Sequence, residues 1–294
     1  MSPQTAAEAA PHDAGERSDA LRRSRGARPG HAGIPVAAAP GLARAVEDEI
    51  VPRLVRELRG DTEARHPAPT PTSVPDADVE AFVALALDRD AESASAFVVR
   101  LRARGVSLAA IYLELLQPAA RRVGELWVAD LRDFSDVTVA VGRMQQVLRG
   151  ISDEFRGELE CAPSGRRLLL APALGEQHSF GLFIVADFFA RAGWEVWGGP
   201  AEPDYVMLRQ VRDVWFDVVG LSLGCGQRID RLAEEIKALR AASRNPAVGV
   251  LVGGPAFCGR PELAVVVGAD GTAADGREAV AVAEAWLAEA ARRG

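Results

Sequence analysis

The sequence predicts an antiparallel helical bundle followed by an α/β domain with a doubly wound parallel sheet. Three observations predict it. Apolar residues recur at helical spacing between about residue 78 and residue 151. Beyond residue 166 that spacing gives way to short continuous apolar runs bounded by Gly, Pro or Asp, the pattern of strands buried on both faces. Helical segments separate those runs, and strand–helix alternation builds a parallel sheet.

Bulk composition narrows the function classes. The chain has 294 residues, 48% of them hydrophobic, enough for two domains with a sizeable core. A net charge of −7 argues against a whole-surface nucleic-acid binder. Cys161, Cys225 and Cys258 form no CxxC pair. That speaks against a disulfide scaffold or structural zinc site and fits a reducing compartment. No apolar run reaches the roughly 18 residues of a membrane span. The start MSPQTAAEAAPHDAG has no basic stretch followed by an apolar core, so no signal peptide is read. A cytoplasmic protein without membrane contact is expected.

Residues 1–40 are rich in Ala, Pro, Gly and Arg without period and are expected to be disordered. Within them ERSDALRRSRGARPG is basic: a solvated tail, or one in weak contact with DNA or an acidic partner. GLARAVEDEIVPRLVREL (41–58) has helical spacing interrupted by Pro52, and HPAPTPTSVPDAD (66–78) is a Pro-rich linker. Residues 1–75 are therefore assigned to a tail, one helix and a linker. Residues 76–156 form a helical cap and 166–294 the α/β domain, with FRGELECAPSGRR (155–167) as the boundary.

In the cap, DVEAFVALALD (78–88) and ESASAFVVRLRARG (92–105) read as two short helices, the second stopped near Gly105. Leu108, Ile111, Tyr112, Leu115, Leu116, Val123, Leu126 and Trp127 follow on one stripe, which Pro118 should kink. Asp133 can cap a further helix with Phe134, Val137, Val141, Met144, Leu148 and Ile151 on its apolar side. Helices so closely connected imply an antiparallel four-helix bundle.

The expected strands are RLLLAPAL (167–174), WEVWGG (194–199), FDVVGLSL (216–223), AVGVLVGG (247–254) and LAVVVG (263–268). The expected helices are 179–192, 203–214, 227–243 and 277–291. Right-handed crossovers then favour a flavodoxin-like order, 2-1-3-4-5. Trp194, Trp197, Trp215 and Trp286 read as packing residues at element ends. Phe180, Phe183, Phe188 and Phe189 read as core of the helix after the first strand, and Cys225 and Cys258 as small buried thiols.

In such sheets ligands bind beyond the carboxyl ends of the strands, where the strand order reverses. GEQHSFG there carries Glu176, Gln177, His178, Ser179 and Gly181, and LSLGCG carries Leu221, Ser222 and Gly224. Gly253 and Gly254 follow the fourth strand and GADG the fifth. Small residues let a ligand approach the backbone. His178 is the metal-ligand candidate, with Glu176 placed to orient its imidazole; the bland alternative is a loop or capping histidine. No G-x-G-x-x-G follows the first strand and no P-loop is present. Ser222 stands where a phosphorelay receiver would want Asp. Of the four histidines, His12, His31 and His66 lie in Pro/Ala/Arg-rich stretches that read as unfolded, and His178 alone is too few for catalytic zinc.

E-x-H-x-x-G at 176–181, Ser222, and Gly253-Gly254 resemble, in order and spacing, the motifs of the cobalamin-binding Rossmann-like domain. LLQPAARRVGELWVADLRDFSDVTVAVGRMQQVLR resembles the helical cap that precedes it. The resemblance covers about residues 77–291. Within that family the chain is most similar to the AerR/PpaA group of regulators, through EIVPRL, W-V-x-D…F-x-D-V-T, G-E-Q-H-S-F-G and FFARAGW. It implies that His178 is the lower axial ligand to cobalt, with Glu176 behind it. Gly181, Ser222, Gly253 and Gly254 would line the pocket for the cofactor's nucleotide tail, and Gln177, Ser179, Leu221 and Gly224 would be further cofactor-binding residues.

Trp127, Val137, Thr138 and Val141 would stand on the side of the upper ligand, although Trp127 taken alone reads as ordinary bundle core. Two departures matter. S-x-L would put leucine at Gly224. Val137 and Thr138 stand at the spacing where CarH-related adenosylcobalamin photoreceptors carry Glu-His, which favours methyl-, hydroxo- or aquocobalamin. The implied function is a non-catalytic, light- or redox-responsive antirepressor acting on a photosynthesis-gene repressor of the PpsR/CrtJ type. The alternative is a corrinoid methyl carrier of a methyltransferase system. The basic tail and Pro-rich linker ahead of the cap suit the regulator.

Overall fold

The computed structural model describes residues 73–158, 161–198, 204–224 and 226–293. The expected tail, the 41–58 helix, Cys225, His12, His31 and His66 lie outside the described residues.

The cap opens with α1 (Asp76–Asp88) and α2 (Ala91–Ala103). α3 is one continuous run made of Leu108–Ala110, Ile111–Leu116 and Gln117–Val128, and α4 is Phe134–Gly157. Polar caps set three of the starts. The Asp90 carboxylate accepts from Ser93 N–H at 2.7 Å, Ser107 Oγ from Ala110 N–H at 3.1 Å, and the Asp133 carboxylate from Asp136 N–H at 2.8 Å. α2 ends at Gly105, whose φ of +87° suits glycine alone.

Pro118 does not break α3. The turn before it, Ile111–Leu116, is π-helical, and Gln117 N–H donates five residues back to the Tyr112 carbonyl. The widened turn takes up a residue that has no N–H to give and whose ring would press on the carbonyl four residues earlier.

The α/β part is β1 (Arg167–Pro172), α5 (Phe180–Arg191), β2 (Glu195–Gly198), α6 (Asp204–Asp213), β3 (Val218–Ser222), α7 (Ile229–Ala242), β4 (Gly249–Gly253), α8 (Leu263–Val266), β5 (Gly271–Ala273) and α9 (Gly276–Arg293). The five strands are parallel in the order 2-1-3-4-5, as the flavodoxin-like expectation had it. The register pairs Pro172 with Ser222, Ser222 with Gly253, and Gly253 with Ala273. The carboxyl ends of β1, β3, β4 and β5 therefore form one line.

The fifth strand is not where the apolar run put it. Leu263–Val266 is a short helix. Ala264 and Val267 are buried while Val265 and Val266 are 79% and 64% exposed, a helical period of three. A Schellman turn closes it: Gly268 at φ +77° donates to Val265, and Ala269 to Ala264. The strand is the next piece, Gly271–Ala273, so GADG precedes β5 and lies away from the ligand edge. Three other expectations also fail. Phe134, in the first turn of α4, is 69% exposed because that turn projects past the bundle core. Trp215 is 45% exposed on the loop before β3. Cys258 is exposed rather than buried.

Helix α5 serves two cores. Phe180, Ile184 and Phe188 lie in the bundle core with Leu115, Leu116, Met144 and Phe155. Leu182 and Phe189 lie on the sheet with Leu168 and Leu170. Asp187, 3% exposed, sits on the bundle face of α5. It accepts from Tyr112 Oη at 2.7 Å, Ser152 Oγ at 2.7 Å and Arg156 Nε at 2.7 Å. Around it Tyr112 stacks on Phe155 at 4.2 Å, and Phe188 meets Phe155 edge-on at 4.9 Å.

Burial, then the charge and hydrogen bond of Asp187, push the Tyr112 phenol well above its ordinary value of 10.0. The folded chain thus holds the phenolic proton more tightly than the unfolded chain. The resulting stabilisation is complete below pH 10 and is lost as the pH rises beyond it. In urea unfolding between pH 8 and pH 11, stability should fall above pH 10. Tyr112→Phe should cost about 1–2 kcal/mol at pH 8 and show a flatter alkaline slope; an unchanged slope would remove Tyr112 as its source.

Candidate functional site

The loop between β1 and α5 is short and held at many points. Ala173 N–H donates to the Ser222 carbonyl at 2.9 Å and Glu176 N–H to the Ala173 carbonyl at 2.8 Å. Gly175 turns at φ +76°, and its carbonyl accepts from Arg228 Nη1. These bonds bring Glu176 and His178 to the carboxyl end of the sheet, beside Ser222, Gly224 and Gly254.

Glu176 is the hub. Its side chain is 4% exposed. Oε1 accepts from Gln177 N–H at 2.8 Å, from His178 N–H at 3.0 Å and from His178 Nδ1 at 2.5 Å. Oε2 accepts from Gly224 N–H at 2.7 Å. Burial alone would raise the carboxyl, but the backbone donors of His178, Gly224 and Gln177 with the imidazole outweigh it and bring it to about 2. At neutral pH Glu176 is therefore an ionised acceptor, so Nδ1 must carry the hydrogen. Nε2 is left as the nitrogen able to bind a metal. The His178 side chain is 69% exposed, oriented from behind and open in front. A single imidazole so held suits a metal that brings its other ligands with it.

The glycines differ in what they must do. A Cβ on Gly224 would come 2.8 Å from His178 Nδ1 and 3.0 Å from Glu176 Oε2. In this chain a side chain at Gly224 would press on the Glu-His pair. Gly254 turns at φ +97°, and a Cβ there would come 2.6 Å from the Leu223 carbonyl and 3.0 Å from Ser222 Oγ. Gly253 meets only Ala273 O at 3.6 Å, and Gly181, in the first turn of α5, faces open space. Ser179 precedes α5 without a side-chain cap bond. Leu221 is 2% exposed in the sheet core and does not open to the edge.

The cap candidates stand on α3 and α4. Trp127 is 45% exposed, so it is not the bundle-core tryptophan that its stripe suggested. Val137 and Val141 are half-buried against the bundle core. Thr138 is exposed, and its hydroxyl donates to the Phe134 carbonyl at 2.7 Å. Earlier on α3, Gln117 Nε2 donates to the Ala274 carbonyl at 3.2 Å, and Arg121 Nη2 lies 4.0 Å from Cys258 Sγ. The cap thus reaches the loops after β4 and β5. Neither Gln117 nor Arg228 has a sequence signal, because each acts through a main-chain carbonyl far away in the chain.

Comparison with known proteins matches these same parts. A family model described as B12 binding domain covers residues 166–283, and a second of the same description covers 79–150. An uncharacterized 20.5 kDa protein of Rhodobacter capsulatus, from the bchF-crtJ intergenic region, is 28% identical over 169 residues, 58% of this chain and 88% of that protein. The structure of the monomethylamine corrinoid protein of Methanosarcina barkeri superposes with a TM-score of 0.54 at 16% identity, over 74% of this chain and all of that one. A cobalamin-binding protein from Desulfitobacterium hafniense is 24% identical with a TM-score of 0.38, over 72% of this chain and 97% of that one.

Gly254→Ala should cost about 1–3 kcal/mol, since its backbone region is essentially closed to other residues. Gly253→Ala should change stability by less than about 0.5 kcal/mol. Urea midpoints of the two variants measure the contrast; equal losses would mean that φ and the Leu223 carbonyl are not what selects Gly254.

Proposed function

We propose that this chain, a cobalamin-binding protein by its two B12 binding domain matches, is a light- or redox-responsive regulator. In this proposal it uses bound cobalamin as its sensor and has no catalytic residue of its own. The observation that carries the proposal is the buried, ionised Glu176 holding Nδ1 of the exposed His178 at 2.5 Å. His178 would supply Nε2 as lower axial ligand, and Glu176 would fix its tautomer and its plane. Ser222, Gly224, Gly253 and Gly254, with Gln177, Ser179 and Gly181, would admit the nucleotide tail at the sheet edge, with Leu221 as the core residue beneath. Trp127, Val137, Thr138 and Val141 would face the upper ligand.

Bound cobalamin supplies a cobalt centre whose bond to an alkyl ligand breaks in visible light. The cap residues would favour a methyl, hydroxyl or water ligand over adenosyl, because Val137 and Thr138 offer no charged pair. The partner we propose is a repressor of the PpsR/CrtJ type. Support comes from the Rhodobacter capsulatus relative, which is placed in the bchF-crtJ intergenic region. The basic sequence at residues 16–30 would suit an acidic partner or a weak contact with DNA.

The test is a visible spectrum after incubation with methyl-, hydroxo- or adenosylcobalamin and desalting, in the dark and after illumination. Wild type should stay coloured with histidine on cobalt, prefer the two small-ligand forms, and change in light when methylated. His178→Ala should lose at least about tenfold in retention. Equal retention by the variant would sink the ligand assignment. A light-insensitive protein that passes its methyl group to a thiol would instead be a corrinoid methyl carrier.

A further inference from the structure

We infer that Asp187 is a positioning residue for the axial histidine, setting through α5 where the His178 loop stands relative to the cap. The inference rests on the ligand role proposed for His178. α5 begins at Phe180, two residues after His178, and Leu182 N–H already donates to the Ser179 carbonyl at 3.0 Å. From Phe180 to Asp187 the helix runs roughly 10 Å. Along that length Phe180, Ile184, Asp187 and Phe188 are all buried on the side of α5 that meets the cap. The rod therefore carries the histidine loop at its first turn and packs on the bundle along its length, with the polar fastening about two turns further on, at Asp187.

The fastening is directional. Tyr112 Oη, Ser152 Oγ and Arg156 Nε reach the one carboxylate from two cap helices, each at 2.7 Å. Arg156 Nη2 adds a fourth donor at 2.5 Å. Ring stacking alone would hold α5 against the cap but would let it slide or turn. An apolar side chain in place of Asp187 would avoid the desolvation of a buried charge. What the carboxylate adds is a fixed point, because four donors from two helices meet it in only one position of α5.

At the sheet end Glu176 and Arg228 hold the same loop from the opposite side. His178 thus stands between a sheet anchor and a cap anchor. A change in where α5 stands would move the loop that carries His178, while the ends of β3 and β4 keep their places.

The experiment uses the full chain with hydroxocobalamin as probe. It compares wild type, Asp187→Asn, Tyr112→Phe and a control, Val83→Ala, in the cap core on α1. For each, the fraction with histidine on cobalt is read from the visible spectrum, and stability from the urea midpoint. Asp187→Asn should retain corrinoid but show a smaller fraction of histidine on cobalt than wild type, a loss smaller than the roughly tenfold that removal of a direct partner of a metal ligand costs. Tyr112→Phe should lose less, and Val83→Ala should lose stability but keep the wild-type spectrum.

An Asp187→Asn spectrum identical to wild type overturns the inference and leaves His178 standing as ligand. Ligation lost by Val83→Ala in step with stability also overturns it, since Asp187 would then be merely structural. If Asp187→Asn does not fold, Tyr112→Phe and Ser152→Ala decide by the same comparison. A wild type that never shows histidine on cobalt overturns the ligand proposal and this inference together.

Discussion

Helix α5 must satisfy two hydrophobic cores at once, and most of the architecture follows from that constraint. Its sequence FGLFIVADFFAR is apolar nearly all round, as a helix buried on two sides has to be. The sheet takes Leu182 and Phe189, and the bundle takes Phe180, Ile184 and Phe188. A purely apolar helix between two apolar surfaces has no preferred rotation or height. The buried carboxylate of Asp187 removes that freedom, at the cost of desolvating a charge that only its several donors can offset. The domain contact is therefore a specified joint, and the loop ahead of α5 inherits its position from it.

At the sheet edge the same logic works with smaller parts. Parallel register brings Pro172, Ser222, Gly253 and Ala273 into line, so the chain must leave the sheet there in successive turns. Those turns require glycine where the backbone turns sharply, as at Gly254, or where a side chain already fills the space, as at Gly224. Glu176 converts that crowding into order. By accepting from the β3 loop and from its own loop together, it ties the two strand ends into one unit. The imidazole is thereby presented ready-made instead of being ordered only when a ligand arrives, which lowers the entropic cost of binding.

Much of this was legible in the sequence, and the limits are physical. The strands β1, β3 and β4 announce themselves because burial on both faces demands unbroken apolar runs. The candidate site could be proposed because its residues follow those runs directly. β5 was misplaced because LAVVVG has strand composition, while its exposed Val265 and Val266 are excused by a short helix that the turn at Gly268 terminates. The true strand, GTA, is a half-buried edge of three residues, too short to carry a pattern. Asp187 was overlooked for a related reason. A lone acid in an apolar helix reads as a solvent-facing residue unless its partners are known, and Tyr112, Ser152 and Arg156 stand 75, 35 and 31 residues away. Gly224 departs from the S-x-L pattern, and the space that excludes a Cβ there is visible only once the Glu-His pair is in place.

Trp127 argues the case from the opposite direction. Seven other residues on its stripe, from Leu108 to Leu126, are buried or half-buried, yet the tryptophan that ends the stripe is 45% exposed. Val128, Leu131, Phe134 and Val139 nearby are exposed as well, so the cap leaves large apolar side chains in water over residues 127–139. Apolar side chains left in water in this way are unfavourable, and the proposed assignment gives them a ligand to cover them. The sheet edge offers the complementary half: a charged dyad, small residues and main-chain donors, with little apolar area. A cofactor with a flat apolar-edged ring and a polar tail needs both kinds of surface. On the proposed assignment the cap would supply one kind and the sheet edge the other, with α5 packed on both. The histidine loop leads directly into that helix, so where His178 stands is tied to how α5 packs on the cap.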